Sequence, residues 1–354
     1  MPPMNMVAYP STLALAFFYR LVGGIGLGVA GLTLAWWAFR RWNRSTPHEP
    51  VTGDVADRVT WGLGALWLLD GLLQMQPLMV THFIGGFLTP LVSGQPPWLQ
   101  AAIRVGIALW AINPVVWNAL AAWLQVGIGL VLLFARDPGW RRAALWISVG
   151  WSAVVWVAGE AMGGVFSGGS WFSGSPGSVL FYGLLAVWVL ASPDWRRRRG
   201  QSAVRYGLGG LWTLAALEQA WPANGFWGPA LSQYVASMAA MPQPGWLSAP
   251  LYAWAHVLSS APAAWNAGLV AIFAALGGLW FFAPDRLATF WATMGVVLLT
   301  WYFGQDWGVL GGMGTDPNSG APVLLALFIY PLLSARKVLA SSPSPFGAAP
   351  RVQP

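Results

Sequence analysis

Apolar residues in this chain arrive in long runs, and the polar residues gather between them. A membrane-crossing helix needs about 20 mostly apolar residues, and runs that approach this length lie at roughly 12–38, 58–76, 115–135, 142–161, 176–192, 203–221, 263–283, 287–305 and 321–334. They predict nine transmembrane helices. The first, "STLALAFFYRLVGGIGLGVAGLTLAWWAFRRW", exceeds the apolar core of about 7–15 residues in a secretory signal and lacks a basic stretch before it. It is expected to be a permanent helix, in which Arg20 must reach toward the interface or find a partner. Its "GGIGLGVAG" follows no strand, so the expectation is packing through small residues rather than nucleotide binding.

The residues between the runs predict the orientation. With the N-terminus outside, the inner loops hold "RRWNR", "RDPGWRR", "PDWRRRR", "PDR" and "SARK", and only Arg20 and Arg104 of the 18 Lys and Arg depart from that side. This is the positive-inside pattern. It accounts for the net charge of +7 without nucleic acid as a partner. The expected location is a cell membrane of a bacterium or archaeon, with the C-terminus cytoplasmic.

Landmarks then recur. "WGLGALWLLDGLLQMQP" from Trp61 returns as "YGLGGLWTLAALEQAWP" from Tyr206, 145 positions later. Trp117-Asn118 returns as Trp265-Asn266, and "FARDP" at Phe134 as "FAPDR" at Phe282, both 148 positions later; Gly159 is matched by Gly304 at 145. The order is kept and the slips fall in loops, which predicts a tandem duplication of a four-helix unit. The expected organisation is an N-terminal helix with its basic loop (1–45), a first repeat (58–192), a basic linker (193–202), a second repeat (203–335) and a disordered tail (336–354). Four helices return the chain to its starting side, so the repeats are expected to be parallel, related by an axis along the membrane normal. Two outer segments, about 77–114 and 222–262, carry Trp-Leu pairs at Trp98-Leu99 and Trp246-Leu247 and predict short helices lying in the interface.

Composition agrees with an all-α integral membrane protein in contact with the lipid bilayer: 56% of residues are hydrophobic and 8% charged, against about 25% charged in soluble domains. The absence of Cys removes disulfides, thiolate metal sites, iron–sulfur clusters and cysteine nucleophiles. No covalently held cofactor is implied, and oxidation chemistry would need a bound cofactor or a partner.

Candidate chemistry concentrates in two stretches, "WVAGEAMGGVFSGGS" from Trp156 and "WYFGQDWGVLGGMGT" from Trp301. Each ends an apolar run with an acid or amide and then becomes rich in glycine, which breaks helices. Glu160, Gln305, Asp306 and Asp316 are therefore candidate ligand or proton-site residues, with a capped helix end and a turn as the alternative. Asp70 and Glu218 sit at similar depth in their runs, with Gln74 and Gln219 beside them; a carboxylate inside a span should face the bundle interior. Such an acidic patch would bind a cation, relay protons or orient a quinol hydroxyl, or else make buried hydrogen bonds between helices. Asn118 and Asn266 are expected as helix caps supporting the site, and Arg104 as a partner for an anion, a lipid phosphate or an outer carboxylate. His82 and His256 are the candidate metal ligands.

These landmarks resemble the DoxX/DoxD superfamily of small membrane proteins, a four-helix unit with a Gly-rich first helix, an outer amphipathic segment, "WN" near the second helix and a polar-Gly motif ending the third. The resemblance covers about 58–192 and again 203–335, and the fused double unit departs from the pattern. It implies a membrane subunit of a quinone-linked or redox-associated complex, accessory to other subunits, with quinone as the possible cofactor. Two further readings stand beside it: a small-solute or ion transporter using a cleft between the repeats, and a scaffold whose Trp-rich outer surface docks a partner.

Overall fold

The computed structural model describes residues 11–42, 54–308, 314 and 316–341; of the tail expected over 336–354, the part to Ser341 is the end of the last helix, and the rest, like 43–53, lies outside the described residues. No strand occurs among them. The helices are α1 (Ser11–Trp42), α2 (Val55–Gln74), α3 (Pro77–Thr81), α4 (Pro97–Ile112), α5 (Pro114–Phe134), α6 (Pro138–Ala158), α7 (Ser178–Leu190), α8 (Pro193–Trp195), α9 (Gln201–Ala220), α10 (Ala230–Ala239), α11 (Gly245–Ser260), α12 (Pro262–Phe282), α13 (Leu287–Phe303) and α14 (Gly320–Ser341). Each of the nine apolar runs forms a helix, and the two intervening segments supply α3–α4 and α10–α11.

Among the described residues, three helices are long and apolar enough to cross a membrane: Thr12–Gly31 within α1, Pro114–Phe134 and Pro262–Phe282; a fourth crossing arises if α7 and Pro193–Ala220, bent by 105°, count as one. The nine-helix expectation outruns this test for physical reasons. α2 carries Asp57, Arg58 and Asp70, α6 carries Arg141 and Arg142, α9 carries Arg205 and Glu218, and α13 is 17 residues long. Large side chains nevertheless face outward along much of the molecule, including Leu27, Ile112, Trp246 and Phe282 at 69–88% exposure. An apolar surface of this extent is compatible with a membrane and costly in water.

Starts and stops follow local chemistry. Pro opens α3, α4, α5, α6, α8 and α12 at the first turn, where its missing N–H is not needed. Asp54 caps α2, Asn113 caps α5 and Asp137 caps α6 by accepting backbone N–H bonds.

Two helix pairs form the frame, α2 on α5 and α9 on α12. Both approach closely enough that glycine is required. A Cβ on Gly129 would stand 2.6 Å from the backbone nitrogen of Leu68, and one on Gly277 would stand 2.9 Å from Thr213 Oγ1 and 3.3 Å from the Thr213 nitrogen. Such contacts gain dispersion energy where lipid offers no hydrophobic drive for association. α6 and α7 complete the packing around α2, while α14 touches α2, α7 and α9 and so joins the two halves. One apolar cluster combines Val55 and Val59 of α2 with Phe181 and Leu185 of α7, Trp212 of α9, Phe273 and Trp280 of α12 and Leu327 of α14. A second surrounds Trp67 and Tyr182.

α1 departs from expectation. Of its glycines only Gly26 has a close neighbour, since a Cβ there would stand 2.9 Å from the Trp123 ring, while one at Gly23, Gly24, Gly28 or Gly31 would meet open space. The helix is held on α5 by that contact, by Trp123 Nε1 donating to Val22 O at 3.2 Å, and by Phe18 against Val80 and Ala119. Arg20 is exposed.

Trp67 and Trp212, 145 positions apart, are both fully buried but differ in one bond. Trp67 Nε1 donates to Ser148 Oγ at 2.7 Å, whereas Trp212 Nε1 has no acceptor among the described residues. Both lose similar volume on replacement by Phe. Trp67→Phe is therefore expected to cost about 1 kcal/mol more than Trp212→Phe, read as the difference in unfolding midpoint in detergent.

Candidate functional site

α6 ends at Ala158 and α13 at Phe303, and the chain then turns through the same sequence of conformations twice. Ala161 and Met162 have φ of 49° and 56°, and Asp306 and Trp307 have φ of 51° and 57°. Gly163 (φ 67°) and Gly308 (φ 66°) follow. Left-handed backbone is unfavourable for residues with a Cβ, so surrounding contacts must hold it. Those contacts also match: Trp156 Nε1 donates to Pro176 O and Trp301 Nε1 to Pro317 O, each at 2.7 Å. A Cβ on Gly163 would stand 2.0 Å from the Pro176 carbonyl carbon, and one on Gly308 would stand 2.7 Å from that of Pro317.

The two glycine-rich segments touch each other. Gln305 Nε2 donates to Trp171 O at 2.9 Å, Ser319 Oγ to Gly174 O at 2.6 Å, and Trp171 Nε1 to Thr300 Oγ1 at 2.9 Å. Gly304 lies so close that a Cβ there would be 2.1 Å from Phe172 O.

Onto this seam the structure brings most of the candidate acids. Glu160 Oε1 accepts from Ser178 Oγ at 2.6 Å and from the Val179 N–H at 3.4 Å, while Oε2 is buried with no hydrogen-bond partner among the described residues. Asp70 accepts from Tyr182 Oη at 3.2 Å. Asp316 is within electrostatic reach of both Asp70 and Glu160 and accepts from the Asn318 N–H at 2.5 Å. Glu218 joins the first segment through Ser175, whose Oγ donates to Oε1 at 2.7 Å; its Oε2 is buried without a partner among the described residues. Asp306 stands to one side, its carboxyl group buried near Tyr234 and Tyr302, and Gln243 approaches it without hydrogen-bond geometry. None of Asp70, Glu160, Glu218 and Asp306 forms an ion pair among the described residues.

A carboxyl group taken out of water needs hydrogen bonds, a cation or a proton to offset its charge. These four groups are thus suited to exchanging protons or small cations.

Gln74 and Gln219 have another task. Gln74 Nε2 donates to Asn118 Oδ1 at 2.5 Å, and Asn118 Nδ2 returns a bond to Gln74 O at 3.0 Å. Gln219 and Asn266 exchange the same two bonds at 2.6 and 3.2 Å. Both Asn residues are fully buried, one turn inside α5 and α12, and not at the caps the sequence suggested. The α5 cap belongs to Asn113. Asn118→Leu is expected to lower stability by about 1–3 kcal/mol, because the Gln74 amide is left buried and unpaired. Replacing Gln74 and Asn118 together by Leu should cost less than the sum of the single changes, a non-additivity that a double-mutant cycle measures.

Arg104 is exposed and makes no ion pair among the described residues, so the expected link to an outer carboxylate is not formed. His82 and His256 are exposed; His82 Nδ1 lies 2.7 Å from Thr81 Oγ1. No group of three or more His, Asp or Glu able to hold a metal occurs among the described residues.

Sequence reasoning missed Tyr182, Ser175 and Ser178, which serve the acids directly. Tyr182 sits in an apolar run with no polar neighbour, and the serines belong to a "SGSPGS" stretch indistinguishable from an ordinary turn.

No protein-family model matches the sequence, and neither a curated protein nor a solved structure is similar to it.

Proposed function

We propose that the chain is a membrane subunit of a quinone-linked redox complex, in which the buried acids take up and release protons. The observation that carries the reading is the set of four carboxyl groups without ion pairs among the described residues: Asp70, Glu218 and Asp306 are buried and Glu160 is half-buried with its Oε2 shut off from solvent, and Asp70, Glu160 and Glu218 bond to Tyr182, Ser178 and Ser175 of one stretch of chain. The redox assignment rests on the resemblance to the DoxX/DoxD superfamily.

The proposed architecture is nine membrane-crossing helices: one N-terminal helix and two parallel four-helix repeats. Matched geometry supports the duplication. The Gln–Asn pairs, the left-handed turns at 161–163 and 306–308, and the Trp-to-Pro hydrogen bonds all recur at separations of 141 to 148 positions. In the proposed orientation the glycine-rich end faces outward and the arginine-rich end faces the cytoplasm.

The same seam gives the transporter reading one specific support: two interrupted helices meeting across a pseudo-symmetric interface is an arrangement seen in secondary transporters. Gentle solubilisation from the native membrane, followed by mass spectrometry and an optical spectrum, separates the two. A stoichiometric cytochrome, flavoprotein or quinone is the expected result. A solitary, colourless chain that moves protons or solute in vesicles would overturn the redox assignment in favour of transport.

A further inference from the structure

α2, α6 and α7 meet at the glycine-rich seam with one set of ends, and at the other they border an open cavity of about 710 Å³. Its lining joins the first turns of α2 and α6 to the end of α7 and the start of the basic linker. Three arginines contribute, Arg141, Arg142 and Arg196, against one acid, Asp57.

The arginines are placed differently. Arg141 Nη1 pairs with Asp57 Oδ1 at 2.9 Å, which fixes the guanidinium in the wall. Its Nη2 is buried and donates to nothing among the described residues. A buried donor without an acceptor is destabilising, and the adjoining cavity is where an acceptor would sit. Arg142 is exposed at the same opening, with no partner among the described residues. Arg196 donates through Nη1 to Val189 O and Ala191 O, so it closes the end of α7 while leaving its charge in the lining. The remaining wall is largely apolar, with Leu145 and Leu190.

We propose that this cavity binds the phosphate of an anionic phospholipid headgroup. Arg141 Nη2 and the Arg142 guanidinium meet the phosphate oxygens, and Leu145 and Leu190 meet the glycerol and first methylenes behind it. Guanidinium groups suit phosphate because their planar donors engage two oxygens together. The volume falls within the range of small-molecule sites, about 300–1,000 Å³, more than a lone anion needs. Basic pockets between helices on the cytoplasmic side are suited to anionic headgroups.

The site belongs to the first half alone. At the positions 145 residues after Asp57, Arg141 and Arg142 stand Ser202, Arg286 and Leu287, so the acid of the ion pair and the second arginine are not repeated. One lipid per chain is therefore expected.

The test uses the full chain, delipidated in detergent, with phosphatidylglycerol and phosphatidylcholine of identical acyl chains, read by native mass spectrometry. Preferential retention of one phosphatidylglycerol is expected. Arg142→Gln, at an exposed side chain with no internal partner among the described residues, should keep the fold and weaken that retention about tenfold. Inorganic phosphate is the second arm: failure to displace the lipid supports a headgroup, whereas displacement at millimolar concentration supports the same arginine site with a soluble phosphate as its ligand. Equal retention of the two lipids, or retention unchanged in Arg142→Gln, would overturn the proposal.

Discussion

Gly304→Ala is expected to leave little folded protein, with a loss of about 3 kcal/mol or more. The backbone of Gly304 is not the reason, since its φ of −113° suits any residue. The reason is the opposite wall: the new methyl carbon would be placed 2.1 Å from Phe172 O and 2.6 Å from the Phe172 ring. A ring can rotate, but the carbonyl is fixed by the turn that Ser170 and Ser173 close through their reciprocal hydrogen bonds. Relief would require separating the two glycine-rich segments and breaking the Gln305–Trp171 and Ser319–Gly174 bonds. Gly295 provides the control on the same helix. A methyl carbon added there would have no atom within 4 Å, so Gly295→Ala should be neutral or stabilise the helix by up to about 1 kcal/mol. Thermal unfolding in detergent, followed by size-exclusion, compares the two.

Glu160→Gln is expected to lower by about one the number of protons that the isolated protein takes up between alkaline and acidic pH, with the helical circular dichroism signal retained. Gln keeps the shape and keeps an acceptor for Ser178 Oγ, but it cannot take up and release a proton. Its amide group would replace Oε2 beside Gly177, where a Cβ would come within 2.3 Å of that oxygen. Gly177 thus makes room for the carboxyl group. In the isolated protein, the infrared band of protonated carboxyl groups should lose intensity in Glu160→Gln. Unchanged proton uptake by the isolated protein together with an unchanged band would remove Glu160 from the proposed proton site.

The helices were legible from the apolar runs because each is bounded by Pro, Gly or a charged cluster. Pro114 and Pro138 start α5 and α6 close to where the runs begin, and Gly159 and Gly304 end α6 and α13. Glu160, Asp70 and Glu218 were legible as site candidates because an acid in so apolar a chain has few places to go. What surrounds them was not. Hydropathy treats Tyr182 as part of an apolar helix, and only the packing of α7 against α2 shows its hydroxyl group at Asp70. Asn118 misled for a related reason: its position near the start of a run fits a cap, yet Pro114 places the first turn earlier and leaves Asn118 inside the helix. Arg104 is exposed on α4 next to the buried Ile103, a difference between neighbours that the linear order does not encode. Crossing number is the remaining gap, because length and hydropathy do not distinguish a charged end of a spanning helix from a helix that stays at the surface.

The closeness of Gly163 to the Pro176 carbonyl carbon bears on how this sequence can drift. When two side chains collide, a smaller residue at the second position restores the fit, so paired substitutions open a path for change. Here the obstructing atoms are main-chain carbon, nitrogen and oxygen of Pro176 and Gly177, which every amino acid would present alike. A second-site revertant of Gly163→Ala should therefore lie in loop length or turn geometry between Ser167 and Ser178, and not in an exchange of the residue it strikes. Selection of revertants at this position would yield insertions and deletions where a side-chain clash would yield substitutions.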